Sequence, residues 1–211
     1  GAADAVSALS RAGLRLVLAS GDNDATANAI GRRLGLREIH GELRPADKAA
    51  LVERLGSEGR HVAMVGDGVN DAPALKAADI GIAMGGKGTD VAREASSLVL
   101  LDDNFSSIVS AIRSGRRIFD NLQKAMSYIL AVHIPIIGLT LLPAFLSSLP
   151  LLMLPLHIVF LELIIDPASS IAFEYEAEEK DIMKRRPRNS EKKFFGPRSI
   201  LFALLKGMLA L

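Results

Sequence analysis

Asp67 and Asp71 stand four residues apart in the string Gly66-Asp67-Gly68-Val69-Asn70-Asp71-Ala72-Pro73-Ala74-Leu75, directly after an apolar run at 61–65. Two carboxylates with an Asn between them suit a hard cation such as Mg²⁺, whose shell is usually completed by phosphate and water. Asp, Asn and Gly are also ordinary turn residues, so Asp-Gly-x-Asn-Asp by itself equally describes a polar strand-to-helix turn. The full ten-residue string makes a site the better reading. Ser20 and Asp22, in Ser20-Gly21-Asp22-Asn23, close a second apolar run at 14–19, and Lys48 lies between the two clusters. A hydroxyl, an ammonium and a Mg²⁺-binding carboxylate pair are the parts that phosphoryl transfer requires. The first two neutralise phosphate oxygens, while the metal bridges phosphate to carboxylate. Taken singly, Lys48 reads as a surface helix lysine and Ser20 carries little weight.

The elements that must position these residues alternate. Helical patterns occupy 2–12 (closed by Gly13), 25–34 (ending near Gly35), 45–55 (Pro45 in its first turn) and 72–77. Strand-like runs occupy 14–19, 38–40, 61–65, 80–84 and 97–100. Such alternation predicts a parallel α/β sheet with helices on both faces. Ligands of an open sheet of this kind bind at the carboxyl ends of the strands, where Ser20 and Asp67 fall.

From Asn104 the pattern changes. Phe105, Ile108, Ile112, Ile118 and Leu122 recur at helical spacing, with Arg113, Arg116, Arg117 and Lys124 on the polar side. The helix continues without a break signal into a stretch, 125–173, whose formally charged residues are Glu162 and Asp166 alone. This predicts a stalk helix at 104–124 and a transmembrane hairpin at 125–173, turning at 147–151, with the second span at 153–173. A polar loop at 174–198 and the start of a third span at 199–211 follow. The basic residues of 113–124 and 184–198 put the stalk and loop on the cytoplasmic side. Glu162 and Asp166 share one helix face, and acids at that depth point to a transported cation. Pro167 disfavours continued helix and frees the Leu163 carbonyl, while Pro135 frees that of Ala131 near His133. The competing reading is a kinked hairpin whose acids pair with basic groups.

The 211 residues carry a net charge of +1, with the basic residues local, so no nucleic-acid partner is expected. Zero cysteines exclude disulfides and thiolate metal sites. A start without Met, already in a helical pattern, and an apolar end predict a piece of a larger polypeptide.

Several strings occur in a fixed order: Ser-Gly-Asp-Asn at 20–23, Leu-Arg-Pro-Ala-Asp-Lys at 43–48, the 66–75 string and Gly-Thr-Asp-Val-Ala at 88–92. Asp-Asp-Asn-Phe-Ser at 102–106, Gly115-Arg116 and the apolar hairpin follow. In this the chain resembles the P-type ATPases, cation pumps of the calcium-pump-like branch, over essentially its whole length. The resemblance implies a haloacid-dehalogenase-like fold at 1–103, an aspartyl-phosphate intermediate made from ATP, and Mg²⁺ as cofactor. It implies Mg²⁺ on Asp67, with Asn70 and Asp71 completing that site. It further implies Lys48 on the phosphoryl group and Ser20, flanked by Gly21 and Asp22, as hydroxyl donor in place of the family's Thr. No Asp-Lys-Thr-Gly-Thr string, the family's nucleophile motif, occurs in the 211 residues. The nucleophile and the nucleotide-binding domain are therefore expected upstream in the same polypeptide, and the chain alone is expected to be inactive. In the membrane part Asp166 matches a family Asp, while Glu162, Ile165, His133 and Ile136 depart from calcium-pump positions. Ca²⁺ or Mn²⁺ are the leading cations, with a proton or monovalent-ion pump and a membrane-tethered phosphatase as alternatives. The expected setting is an integral membrane protein in contact with lipid, its soluble part cytoplasmic, in the plasma membrane of a prokaryote.

Overall fold

Short apolar runs between capped helices fold as their alternation requires. The computed structural model describes residues 1–188, 194 and 196–211, in two units: Gly1–Ile112 with Met183–Pro187, and Arg113–Ile182 with Arg188–Leu211. The first unit holds α1 (Ala2–Arg11), β1 (Val17–Ala19), α2 (Asp24–Arg33), β2 (Glu38–His40), α3 (Pro45–Ser57) and β3 (Ala63–Gly66). A 3₁₀ turn (Val69–Asp71), α4 (Ala72–Ala77), β4 (Ile80–Met84), α5 (Asp90–Ala95), β5 (Leu98–Leu100) and the start of α6 (Phe105–Phe145) complete it. Gly13 and Gly35, at φ of +85° and +76°, stop α1 and α2 in the left-handed conformation that favours glycine. The Asn23 side chain accepts the Thr26 N–H and starts α2.

All strand pairs are parallel, and they form two hydrogen-bonded groups, β1-β2 and β3-β4-β5. Among the described residues no strand pairs with the second edge of β1 or of β3. Strand β3 begins at Ala63 rather than 61, because the Val62 N–H donates to Asp79 Oδ2 at 2.7 Å. The three-stranded sheet is covered on both faces. Leu9 of α1 and Ile108 of α6 pack with Ile82, Val65 and Leu100 on one side. On the other, Leu75 of α4 and Ala92 of α5 pack with Ala83 and Met64. Adjacent residues along β3 and β4 thus serve opposite faces, as strand alternation dictates. Helix α5 was not among the expected elements; its six residues are too few for a periodic pattern, and its sign is the Thr89 cap.

In the second unit α6 runs unbroken through Pro135 and Pro143, and α7 spans Pro155–Glu174. Twenty residues reach about 30 Å, the thickness of a bilayer's hydrocarbon core. Helix α7 starts two residues later than the sequence suggested, because Pro155 takes the first-turn position where a missing N–H is harmless. It also runs straight through Pro167, contrary to the expected interruption. The Ser169 hydroxyl donates to the Asp166 carbonyl at 3.0 Å, one turn beyond the Leu163 carbonyl that Pro167 frees.

The arginines read as a basic stalk face have a structural use. Arg117 donates to the carbonyls of Glu174 and Glu176, Asn121 to that of Glu176 and Arg116 to that of Ile182. Lys124 adds ion pairs with Glu176 and Glu179 at 2.6 and 2.9 Å, so the chain leaving α7 is strapped along α6. Helix α8 (Pro197–Ala210) buries Ala203 and Gly207, four apart. A Cβ on Gly207 would meet the Ala131 carbonyl at 2.6 Å, so the small residue lets α8 approach α6 closely. Residues 189–193 and 195 of the expected polar loop lie outside the described residues.

Candidate functional site

The strand ends do gather the polar residues, in two groups. Where β3 ends, the chain turns through Gly66–Asp71, and Asp71 Oδ2 accepts the N–H groups of Asp67 (3.3 Å) and Gly68 (3.1 Å). Its other oxygen receives the Lys48 ammonium from α3 at 2.7 Å. Both side chains are close to fully buried, at 12% and 11% exposure. Asp71 is thus the keystone of the loop, with its lone pairs largely committed to N–H donors. Gly66 is needed beside it, since a Cβ there would lie 2.6 Å from that of Asp71.

Asp67 differs. It is exposed, and among the described residues its carboxylate has no hydrogen-bond or ion-pair partner. Its carbonyl accepts the Thr89 N–H at 2.9 Å, which ties this loop to the one after β4. That second loop is braced in turn. Arg93 donates to the carbonyls of Gly85 and Gly88, and Asp103 accepts the N–H groups of Gly86 and Lys87. The sequence strings around Thr89 and Asp103 carried no assigned part; the fold shows that they brace the loop next to Gly66–Asp71. Asn70 is exposed on the 3₁₀ turn.

The second group closes β1. The Ser20 hydroxyl donates to Asp22 Oδ2 at 3.0 Å and accepts the Asp22 N–H at 3.1 Å. Gly21 lies under the Leu43 carbonyl, which a Cβ would meet at 3.4 Å. Among the described residues no hydrogen bond or ion pair joins this group to Lys48, Asp67 or Asp71.

The donor set fits Mg²⁺, an ion commonly held by one or two carboxylates with phosphate and water supplying the rest. Asp67 offers a free carboxylate and Asn70 an amide oxygen, whereas Asp71 orients the loop that carries them.

In the second unit the acids on α7 separate. Glu162 Oε1 lies 3.4 Å from His133 Nε2 on α6, with side-chain exposures of 27% and 40%. Asp166, one turn further, is exposed and has no partner among the described side chains. The carbonyl of Ala131, expected near a cation, lies against Gly207 of α8.

Known families match in the same order as these sites. A haloacid dehalogenase-like hydrolase family matches residues 1–79, a second of that description matches 48–112, and "Cation transporting ATPase, C-terminus" matches 150–211. A calcium-transporting ATPase of Bacillus subtilis is 40% identical across 87% of this chain and 24% of its own length. The rat sodium/potassium-transporting ATPase subunit alpha-2 is 49% identical across 70% of this chain and 14% of its own. A solved zinc-transporting PIB-type ATPase in its E2.Pi state, 35% identical, superposes with a TM-score of 0.64 over 81% of this chain and 26% of its own. The chain spans about a quarter of the length of the calcium-transporting relatives, 24% and 26% for two of them. Two helices of spanning length, together with these transporting relatives, make it a membrane protein. With its hydrolase-like segment followed by an ATPase C-terminal segment, and relatives aligned across both, the chain belongs to the P-type ATPase family.

Proposed function

We propose that this chain supplies the metal-binding half of the phosphorylation site and a cation-binding helix pair of an ATP-driven cation pump. The observation that carries the reading is the unpartnered carboxylate of Asp67, displayed at the end of β3 by an Asp71–Lys48 pair that locks its loop. Bound there, Mg²⁺ would neutralise phosphate oxygens that approach Asp67. The chain's own residues then hold the transferred group. The Lys48 ammonium has three donors, one of which goes to Asp71, leaving others for phosphate oxygens. The Ser20 hydroxyl turns from Asp22 to donate to the same group, while Asp22 stays on its N–H side to hold the turn. The nucleophile comes from a separate part of the polypeptide. The unpaired edges of β1 and β3 support this, because a parallel strand has open hydrogen-bonding rows on both.

The pumped ion passes Glu162 and Asp166 in α7, with the soluble unit on the cytoplasmic side. A membrane-tethered phosphatase would need neither intramembrane acid, and the pump reading accounts for both. The test is an ATPase ion screen on the full-length protein. Glu162→Gln and Asp166→Asn are each expected to shift the half-stimulating ion concentration at least about tenfold, the loss of roughly one charged ligand contact. Unchanged ion dependence in both variants would move the transport site away from α7.

A further inference from the structure

We propose that Lys87 is a second phosphate-binding ammonium of the phosphorylation site, presented beside Asp67 by the loop that follows β4. The proposal deepens the pump reading and rests on Asp67 being the metal ligand.

Strand register places the loop. Gly66 pairs with Ala83, so the chain leaves β3 with Asp67 level with Met84, and residues 85–89 lie beyond the carboxyl end of β4. That is the end of a parallel sheet where ligands bind. Both feet of the loop are tied to its neighbours. The Gly85 N–H donates to the Leu100 carbonyl and the Thr89 N–H to the Asp67 carbonyl, each at 2.9 Å. The N–H groups of Gly86 and Lys87 donate to the Asp103 carboxylate at 3.0 Å. Asp103 accepts them from a φ of +50°, a left-handed conformation that residues other than glycine adopt at a cost. Arg93 donates to the Gly85 and Gly88 carbonyls, and a Cβ on Gly88 would collide with the Met84 carbonyl. The backbone is thus fixed on both sides of Lys87.

None of these bonds uses the Lys87 side chain. It is exposed, and among the described residues its ammonium has no hydrogen-bond or ion-pair partner. A solvated loop lysine is the ordinary explanation of such a residue. Its position argues further. Lys87 stands two residues from Thr89, whose N–H is on the Asp67 carbonyl, and a flexible four-carbon stem carries the charge from there. Charge balance says what that ammonium meets. Asp67, Asp71 and Lys48 together carry one net negative charge, and Lys48 is already paired with Asp71 at 2.7 Å. A bound Mg²⁺ turns this into one net positive charge, and a phosphate dianion then leaves one negative charge uncompensated, before the nucleophile's carboxylate is counted. Lys87 supplies the missing positive charge, as lysine commonly does for phosphate oxygens.

The test is titration calorimetry of orthovanadate, a phosphate analogue, binding to the full-length protein in detergent with Mg²⁺ present. Lys87→Met is expected to raise the vanadate dissociation constant about tenfold, the worth of one charge-assisted contact, and Lys87→Arg to stay within about threefold of wild type. The urea midpoint of Lys87→Met is expected to match wild type, because the side chain holds no part of the loop. Vanadate affinity unchanged in Lys87→Met, with binding lost in Asp67→Asn, overturns the role of Lys87 and leaves the pump reading standing. Mg²⁺ affinity that tightens in Lys87→Met while vanadate affinity stays put would place the ammonium on Asp67 itself, and overturns it as well. Equal weakening in Lys87→Met and Lys87→Arg does the same, since a contact made by charge tolerates that exchange. No vanadate binding by the wild-type protein removes both this proposal and the pump reading.

Discussion

Lys48 and Asp71 illustrate how a residue's role depends on a partner that spacing does not reveal. The two lie 23 positions apart, on α3 and after β3, and meet at 2.7 Å with little solvent contact. Removing one member of a nearly buried pair strands the other's charge, which costs about 3 kcal/mol. Lys48→Met is therefore expected to lower the stability of the first unit by about that much in urea unfolding. Lys48→Met/Asp71→Asn should recover at least half, because an amide can be buried with fewer partners. A single variant within about 0.5 kcal/mol of wild type would show the pair to be incidental. The sequence put both Asp67 and Asp71 at a metal site, Asp67 as the main ligand and Asp71 completing it. Their difference is three-dimensional: one carboxylate is committed to Lys48 and two N–H groups, and the other is free.

Elements were legible where a local chemical signal marks them. Pro45 begins α3, Gly13 and Gly35 stop α1 and α2, and the continuous apolar run of β4 matches its burial from Gly81 to Met84. Pairing was not legible, since the split into β1-β2 and β3-β4-β5 depends on which strand lies beside which. Arg15 and Glu38 secure the first group: the guanidinium donates to both carboxylate oxygens at 2.8 Å, next to the start of the β1–β2 register at Val17↔Glu38. Arg15's hydrogen bonds, with His40 contributing, hold the Glu38 carboxyl below its ordinary value of 4.5. The folded state thus binds fewer protons than the unfolded chain in this window. The stabilisation is fully present above about pH 4.5 and is lost as pH falls through the lowered folded value. Both side chains are partly exposed, so solvent screening keeps the contribution small. Glu38→Gln is expected to lower the urea midpoint at pH 7, and by progressively less as the pH falls below 4.5. A gap that stays constant as the pH falls would assign the loss to something other than the charge.

At the scale of the whole molecule, the change of composition after Lys124 announced the membrane part, and α6 and α7 occupy it. Pro167 is a weaker break signal than its chemistry suggests, because an internal proline removes one hydrogen bond and α7 continues through it. Helix α6 belongs to both units as one unbroken element of 41 residues. A helix shared by two units is not itself evidence of coupling, which has to come from a measurement that perturbs one end and reads the other. The ion screen on Glu162 and Asp166 variants does this. The central claim, that Asp67 holds the metal of a phosphorylation site completed by the rest of the polypeptide, is tested most directly by phosphoenzyme formation from γ-labelled ATP. The full-length protein is expected to form an acid-stable phosphoenzyme, Asp67→Asn to reduce it at least about a hundredfold, and the 211-residue chain alone to form none. Normal phosphoenzyme in Asp67→Asn, or phosphorylation of the chain by itself, would contradict it.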